Sequence, residues 1–462
     1  MQKKYKELLN NTLIFSVGNI GAKAILFFMV PLYTAYMDSE AFGEADLITT
    51  TSDLVVPMIT LSISNAVFRF VYEKKYDDRE ILRCFYRIYI PSVLMSAVFA
   101  AICFKIPQYS KYAGLLFLIM ILTGFNDSYS LYIKARGYTK VFAFNTIFYV
   151  LTLCAANVLF LTKFHWSAGG YLIAIVIAKF FSNLFLVVFG RSPKLALPLN
   201  IEKGLLRQML AYSAPLIVNS IFWWIITSSD KYMIAFMIDT STVGLYNVAA
   251  KIPSLVSTFV GVFIEAWTVS VFKEFEKNDI SFLDNVFQMF NVGIHIFVSF
   301  ILFIIREFMS YYVEETYYQA VIFLPLLLMG AFFLAYASYF GVFFNMVKKS
   351  TIIAYSSLTA AVINILLNIV LIPQFGGMGA ALATLVSYAV IAVYRIVSIR
   401  NYMDLRFNYG KWTISVALLM VQCISVTVDF HYAVISMAVF TVLCLLHVNE
   451  IKSIVKKGNG QL

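Results

Sequence analysis

Apolar runs of about 20 residues recur along nearly the whole chain, and no other feature limits its architecture so severely. A backbone in lipid has to satisfy its own hydrogen bonds, so each run reads as a transmembrane helix. Fourteen spans are expected, near 11–37, 43–70, 84–104, 112–133, 141–162, 168–190, 210–237, 242–271, 285–305, 319–346, 351–372, 377–394, 412–428 and 431–447. The residues are 61% hydrophobic and 13% charged, with a mean hydropathy of +0.81. Soluble domains carry about a quarter charged residues, so the fold class is an all-α polytopic membrane protein. The start, MQKKYKELLNNTLIFSV, is basic and is followed by no small-residue cleavage site, as in a retained first span. Five cysteines without paired spacing read as small core hydrophobes.

The net charge of +10 is explained by topology. Alternate connections hold 25 Lys and Arg, including Lys3, Lys74, Arg136, Lys203, Lys273, Lys349, Arg395 and Lys456. The opposite side holds four: Lys105, Lys111, Lys163 and Arg306. By the positive-inside rule both termini are expected in the cytoplasm, and no nucleic-acid partner is needed to account for the basic balance.

The chain is expected to be duplicated. Asn247, Lys251, Ser254, Thr258, Gly261, Glu265 and Thr268 recur at steps of four and three, which places them on one face of span eight. That face is too polar for lipid. Span two, 201 positions earlier, carries a matching series: Asp46, Thr50, Asp53, Pro57, Thr60, Ser64 and Val67. Ahead of the two series, Met37-Asp38-Ser39 aligns with Ile238-Asp239-Thr240. A second similarity pairs NVLFLTKFHWSAGGYLIA with NIVLIPQFGGMGAALATL, Asn157 matching Asn368. Six spans per copy give parallel repeats around an axis along the membrane normal, with a central cavity expected between two lobes. The expected domains are a first lobe at 1–190, a cytoplasmic linker at 191–209, a second lobe at 210–400, and two extra spans with a tail at 401–462.

Six cations fall inside the spans: Lys23, Arg69, Arg87, Lys179, Lys231 and Lys251. Arg69 and Arg87 are near the cytoplasmic interface, where snorkelling is cheap. Lys23 and Lys179 fall near mid-span, where an ammonium costs at least about 2.5 to 3.5 kcal/mol. Such residues face a water-filled path or a partner. Asn19 lies on the same face of span one as Lys23. Lys231 is high in span seven, where it can line the path or snorkel outward. The intramembrane acids are Asp53, Asp127, Asp230 and Glu265. They serve either as structural ion-pair partners or, for Asp53 and Glu265, as carriers of a coupling ion. Asp127 is expected to pair with a cation of its own lobe.

No GxxxxGK[ST] loop, HExxH, CxxC or D-x-D is present, and the four histidines are scattered. No connector is long enough for a catalytic domain. A membrane enzyme is disfavoured, and neither a metal nor a cofactor is expected.

SSDKYMIAFMIDTSTVGLYNVAAKIPSL resembles the run after the seventh span in polysaccharide-biosynthesis flippases. These are the oligosaccharide-lipid, Wzx-type branch of the multidrug/oligosaccharidyl-lipid/polysaccharide exporter superfamily. The shared residues are Asp230-Lys231, Gly244-Leu245-Tyr246 and Ala250-Lys251-Ile252. FGEADLITTTSDLVVPMITLSISNAVFRFVYEKK and Ser213-Ala214-Pro215-Leu216 extend the similarity, which spans essentially the whole chain.

The resemblance implies a MATE-like flippase in a bacterial or archaeal cytoplasmic membrane. Its cargo would be an oligosaccharide on a polyprenyl pyrophosphate, moved to the outer leaflet by alternating access, with polysaccharide polymerase or ligase machinery downstream. Lys23, Lys251, Lys179 and Lys231 are then candidates for the pyrophosphate, and Asn19, Asn247, Ser254 and Thr258 for the sugars. Asp53 and Glu265 are the candidates for ion coupling. A cation-coupled multidrug exporter and a peptidoglycan-precursor flippase share the fold and are the alternatives.

Overall fold

The computed structural model describes residues 20–190, 203–276, 280–347, 349–402 and 407–452. Among them there is no strand. The helices are α1 (Ile20–Tyr36), α2 (Ser39–Ile59), α3 (Ile63–Glu73), α4 (Asp78–Cys103), α5 (Ala113–Ala135) and α6 (Thr139–Val158). They continue with α7 (Ser167–Phe189), α8 (Lys203–Met237), α9 (Thr240–Glu276), α10 (Ile280–Tyr312) and α11 (Leu324–Met346). The last four are α12 (Ser350–Phe375), α13 (Gly377–Ile399), α14 (Tyr409–Val428) and α15 (Tyr432–Leu446). By length and composition 11 helices among the described residues are able to cross a membrane, and 12 if α2 and α3 count as one bent span. The last expected span falls on α15, which is apolar but shorter, and the described part of the first falls on α1, with residues 11–19 outside the described residues.

One continuous second span at 43–70 is not what forms: α2 and α3 meet at 57°. Pro57 has no N–H, and Leu61 and Ser62 both adopt left-handed φ, 54° and 48°. The Ser62 N–H bonds the Pro57 carbonyl at 2.8 Å, five residues back, so the regular ladder is interrupted there. The polar series of span two is therefore split. Asp46, Thr50 and Asp53 stay on α2, while Val67 turns into the apolar core on α3. By contrast α9 runs unbroken for 37 residues with Pro253 inside it.

The chain forms two compact units, Met1–Tyr232 and Met233–Leu462, the division falling inside α8. Residues 191–202 of the expected linker lie outside the described residues. The apolar core of the first unit joins α3, α4, α5 and the start of α8 through Ile63, Phe85, Tyr132 and Leu205, all fully buried. The second unit is built around α11, of whose apolar stretch 83% is buried, packed against α9 and α13. At the start of α13 a Cβ on Gly379 would meet the Leu371 carbonyl oxygen at 2.3 Å, so only glycine lets α13 turn back so closely on α12.

Each unit opens its polar helix with the same cap. Asp38 Oδ1 accepts the Ala41 N–H at 2.7 Å ahead of α2, and Asp239 Oδ1 accepts the Thr242 N–H at 2.6 Å ahead of α9. Asn157 and Asn368, near the ends of α6 and α12, are both fully buried.

Polar contacts hold the two extra spans on α10. Ser299 Oγ donates to Gln422 Oε1 at 2.8 Å, and Gln422 Nε2 returns a bond to the Ser299 carbonyl at 2.9 Å. Arg306 belongs to this seam and not to an outer loop: its Nε donates to the Val426 carbonyl, and its guanidinium is 2.9 Å from Asp429. Arg395, also expected in a loop, is buried inside α13. It donates to the Ala337 carbonyl at 2.6 Å, to Ser356 Oγ at 3.0 Å and to Ser357 Oγ at 3.2 Å. Both arginines are hydrogen-bonded deep in helix packing, which loop assignment from charge counting does not detect.

Candidate functional site

The polar face of α9 is continuous. Asn247 is buried, Lys251 and Thr258 are half-buried, and Ser254, Gly261 and Glu265 are exposed. The hydroxyls are internally satisfied, Ser254 Oγ donating to the Lys251 carbonyl and Thr258 Oγ1 to the Ser254 carbonyl, each at 2.7 Å. Local bonds of this kind keep bare hydroxyls from destabilising a helix in lipid while leaving their lone pairs available as acceptors. Lys251 and Glu265 lie 14 positions apart, about 21 Å along the axis at 1.5 Å per residue.

In the first unit the sequence candidates converge on α2. Lys231 of α8 places Nζ 2.8 Å from Asp46 Oδ2, with the two side chains 15% and 11% exposed. Two further contacts from α8 flank this pair. Trp224 Nε1 donates to the Thr50 carbonyl at 2.9 Å, and Tyr232 Oη donates to the Leu47 carbonyl at 3.1 Å. The Tyr232 hydroxyl also shares a 2.5 Å hydrogen bond with Thr51 Oγ1. Lys231 is thus held inward, and does not snorkel to a surface.

One turn or two further along α2, the Asp53 carboxylate reaches open space. The charges acting on it are Lys179, Asp127, Lys231 and Asp46. The charge of Lys179 on α7 acts on two acids, Asp53 and Asp127, without forming an ion pair with either, and its ammonium lies 5.2 Å from the centre of the Tyr149 ring. Below it a neutral network ties α5, α6 and α7 together: Asn126 donates to Ser182 Oγ and Asn183 Oδ1, and Ser182 Oγ donates to Asn145 Oδ1.

The sequence candidates therefore fall into two groups. Asp53, Lys179 and Lys231 assemble within the first unit, and Asn247, Lys251, Ser254, Thr258 and Glu265 line α9 in the second. Lys23 is exposed on α1. Asn19 lies outside the described residues. Asp46 had been visible as a member of the α2 series but carried no assigned partner, because Lys231 is remote in sequence.

A family model described as polysaccharide biosynthesis protein matches residues 8–275. An uncharacterized membrane protein of Methanocaldococcus jannaschii is 20% identical over 428 residues, covering 86% of this chain and 99% of the relative. Among solved structures, a lipid II flippase MurJ in an inward closed conformation superposes with a TM-score of 0.71 at 16% identity, covering 95% of this chain and 100% of that one. A multidrug resistance MATE family transporter in an inward-facing conformation gives 0.58 at 12% identity, covering 85% and 94%. At these identities the structures share the fold. Taken with the helices and their intramembrane charges, the family match identifies the chain as a multi-pass member of the polysaccharide biosynthesis protein family, the Wzx-type flippases, and so as a flippase or transporter and not an enzyme.

Proposed function

We propose that the protein moves a polyprenyl-pyrophosphate-linked oligosaccharide, the repeat unit of a polysaccharide, from the cytoplasmic to the outer leaflet by alternating access. The membrane is the cytoplasmic membrane of a bacterium or archaeon, with both termini inside. The family match over residues 8–275 carries this reading. The polar, lysine-bearing face of α9 supports it, since an ammonium within a span is costly unless it serves an anion or a partner.

Lys251 on α9 and Lys23 on α1 are the cations the pyrophosphate meets on its way, each as a compact point charge. Asn247, Ser254 and Thr258, with Asn19, offer hydrogen bonds to the sugars. Lys231, paired with Asp46, and Lys179 set the charge of the first unit. Asp46, Asp53 and Asp127 outnumber these two lysines, which supports coupling to a cation gradient through Asp53 or, in the second unit, Glu265. The same excess of acids favours one other reading, a cation-coupled exporter of the same fold.

Replacement of Lys23 and Lys251 by Ala, singly and together, tests the reading in cells that depend on this chain for surface polysaccharide. Delivery is expected to fall for each single variant and to be lost in the double variant, with Arg replacements retaining part of it. Full delivery by a membrane-inserted double variant rejects the pyrophosphate role.

A further inference from the structure

The break between α2 and α3 does more than bend a helix. It opens a cavity of about 360 Å3 within the first unit, between that break, α5, the start of α6 and α8. The volume is at the lower end of the range of about 300 to 1,000 Å3 for small-molecule sites, enough for part of a glycan. Its polar groups are hydroxyls, an amide and one carboxylate, set among apolar walls from Val56, Pro57 and Leu131, and no lining residue is a cation.

Three of its polar groups are uncommitted. The Asp127 carboxylate, the Ser64 hydroxyl and the Asn65 amide line the cavity and make no side-chain hydrogen bond or ion pair among the described residues. Ser128 and Ser130 are different, their hydroxyls donating to the Gly124 and Asp127 carbonyls at 3.1 and 3.3 Å, which leaves them as acceptors. Phe142 supplies an aromatic wall.

The chemistry selects among ligand classes. A phosphate finds no positive charge in the lining and one negative charge against it. A metal ion or organic cation finds one carboxylate, on which the Lys179 ammonium already acts. A neutral polyol suits every group: hydroxyl protons for the carboxylate, donors and acceptors for Ser64 and Asn65, and apolar C–H groups for the Phe142 ring.

The location agrees. α5 ends and α6 begins at the turn carrying Lys134, Arg136 and Lys140, which the charge bias assigns to the cytoplasm, where a lipid-linked sugar is presented.

We propose that this cavity is a subsite for a neutral sugar of the cargo, with Asp127 as its principal hydrogen-bond acceptor and Ser64 and Asn65 as partners. The inference rests on the flippase reading above. A site whose polar groups await substrate hydroxyls also discriminates, because a ligand without them leaves those groups unpaired.

The test uses the full chain in lipid nanodiscs and two labelled probes: a polyprenyl pyrophosphate with no sugar, and the same carrier bearing a neutral hexose. The native protein is expected to bind the sugar-bearing carrier more tightly. Asp127→Asn and, separately, the cavity-filling Ser64→Trp are expected to weaken that binding about 10- to 100-fold, the equivalent of one charge-assisted hydrogen bond, with the bare carrier bound as before. Equal binding of the two carriers by the native protein, or a sugar preference that survives in both variants, overturns the subsite and leaves the flippase reading standing. Failure of the native protein to bind either carrier overturns the flippase reading and the subsite with it. Radioactive sodium bound by the native protein and lost in Asp127→Asn makes the cavity a cation site and likewise overturns the proposal.

Discussion

Lys231 and Asp46 are separated by 185 positions in sequence and by 2.8 Å in space. Their contact, bracketed by Trp224 on Thr50 and Tyr232 on Leu47, fixes the later part of α8 against the face of α2 that carries Asp53. Removing one partner of a pair this buried costs about 3 to 5 kcal/mol, whereas removing both charges together is close to neutral. Asp46→Asn is therefore expected to lower thermal stability in detergent sharply, and Asp46→Leu with Lys231→Met to restore it. Because the electrostatics around Asp53 change in both, polysaccharide delivery is expected to stay low in the restored double variant. A double variant that is stable and fully active would mean that the pair is structural alone.

The matching caps make a quantitative statement about the duplication. Asp38→Ala and Asp239→Ala each remove an acceptor for a first-turn N–H, at a cost of about 1 kcal/mol. Asn at either position is expected to retain most of the stability. Thermal unfolding of the four variants measures this, and strongly unequal losses would show that the two caps are not equivalent in energy.

Arg395 offers a test of sign. Its acceptors do not depend on it, since Ser356 Oγ also donates to the Ile353 carbonyl and the Ala337 carbonyl belongs to a helix. The guanidinium spreads its donors over three neighbouring groups, which the single ammonium of a lysine cannot reach together. Arg395→Lys is expected to be less stable than Arg395→Met by about 1 to 3 kcal/mol, because the lysine retains a buried charge with fewer of its hydrogen bonds. A lysine variant more stable than the methionine variant in thermal unfolding would contradict this.

Carboxylates that carry coupling ions in membrane proteins face the bundle interior and stand near basic partners. Asp53 and Glu265 are both exposed, and the charges of Lys179 and Lys231 act on Asp53. In proteoliposomes, Asp53→Asn is expected to make transport indifferent to imposed proton and sodium gradients, and Glu265→Gln to keep the response. Native transport that ignores both gradients removes the coupling role from either residue.

Much of this protein is determined along the chain itself. Apolar runs of span length, the polar series at helical spacing on α9 and the paired Asp38 and Asp239 signals are local, and lipid leaves such runs little choice but helix. The loop distribution of the basic residues and the lack of P-loop, HExxH and CxxC spacings are equally local features. What only the tertiary structure decided are the partners and the break. Asp46 meets Lys231, Lys179 acts at longer range on Asp53 and Asp127, and Arg395 meets α11 and α12 across sequence separations over which periodicity carries no information. Proline did not locate the break either. Pro91, Pro215, Pro253 and Pro373 lie inside continuous helices, whereas after Pro57 two left-handed residues turn the chain. A missing N–H weakens any helix, but whether the chain bends there depends on which neighbours pack against the two halves. In this case Val67 is drawn into the α3–α5 core while Asp46 is held by Lys231, and the two ends of one polar series are pulled apart.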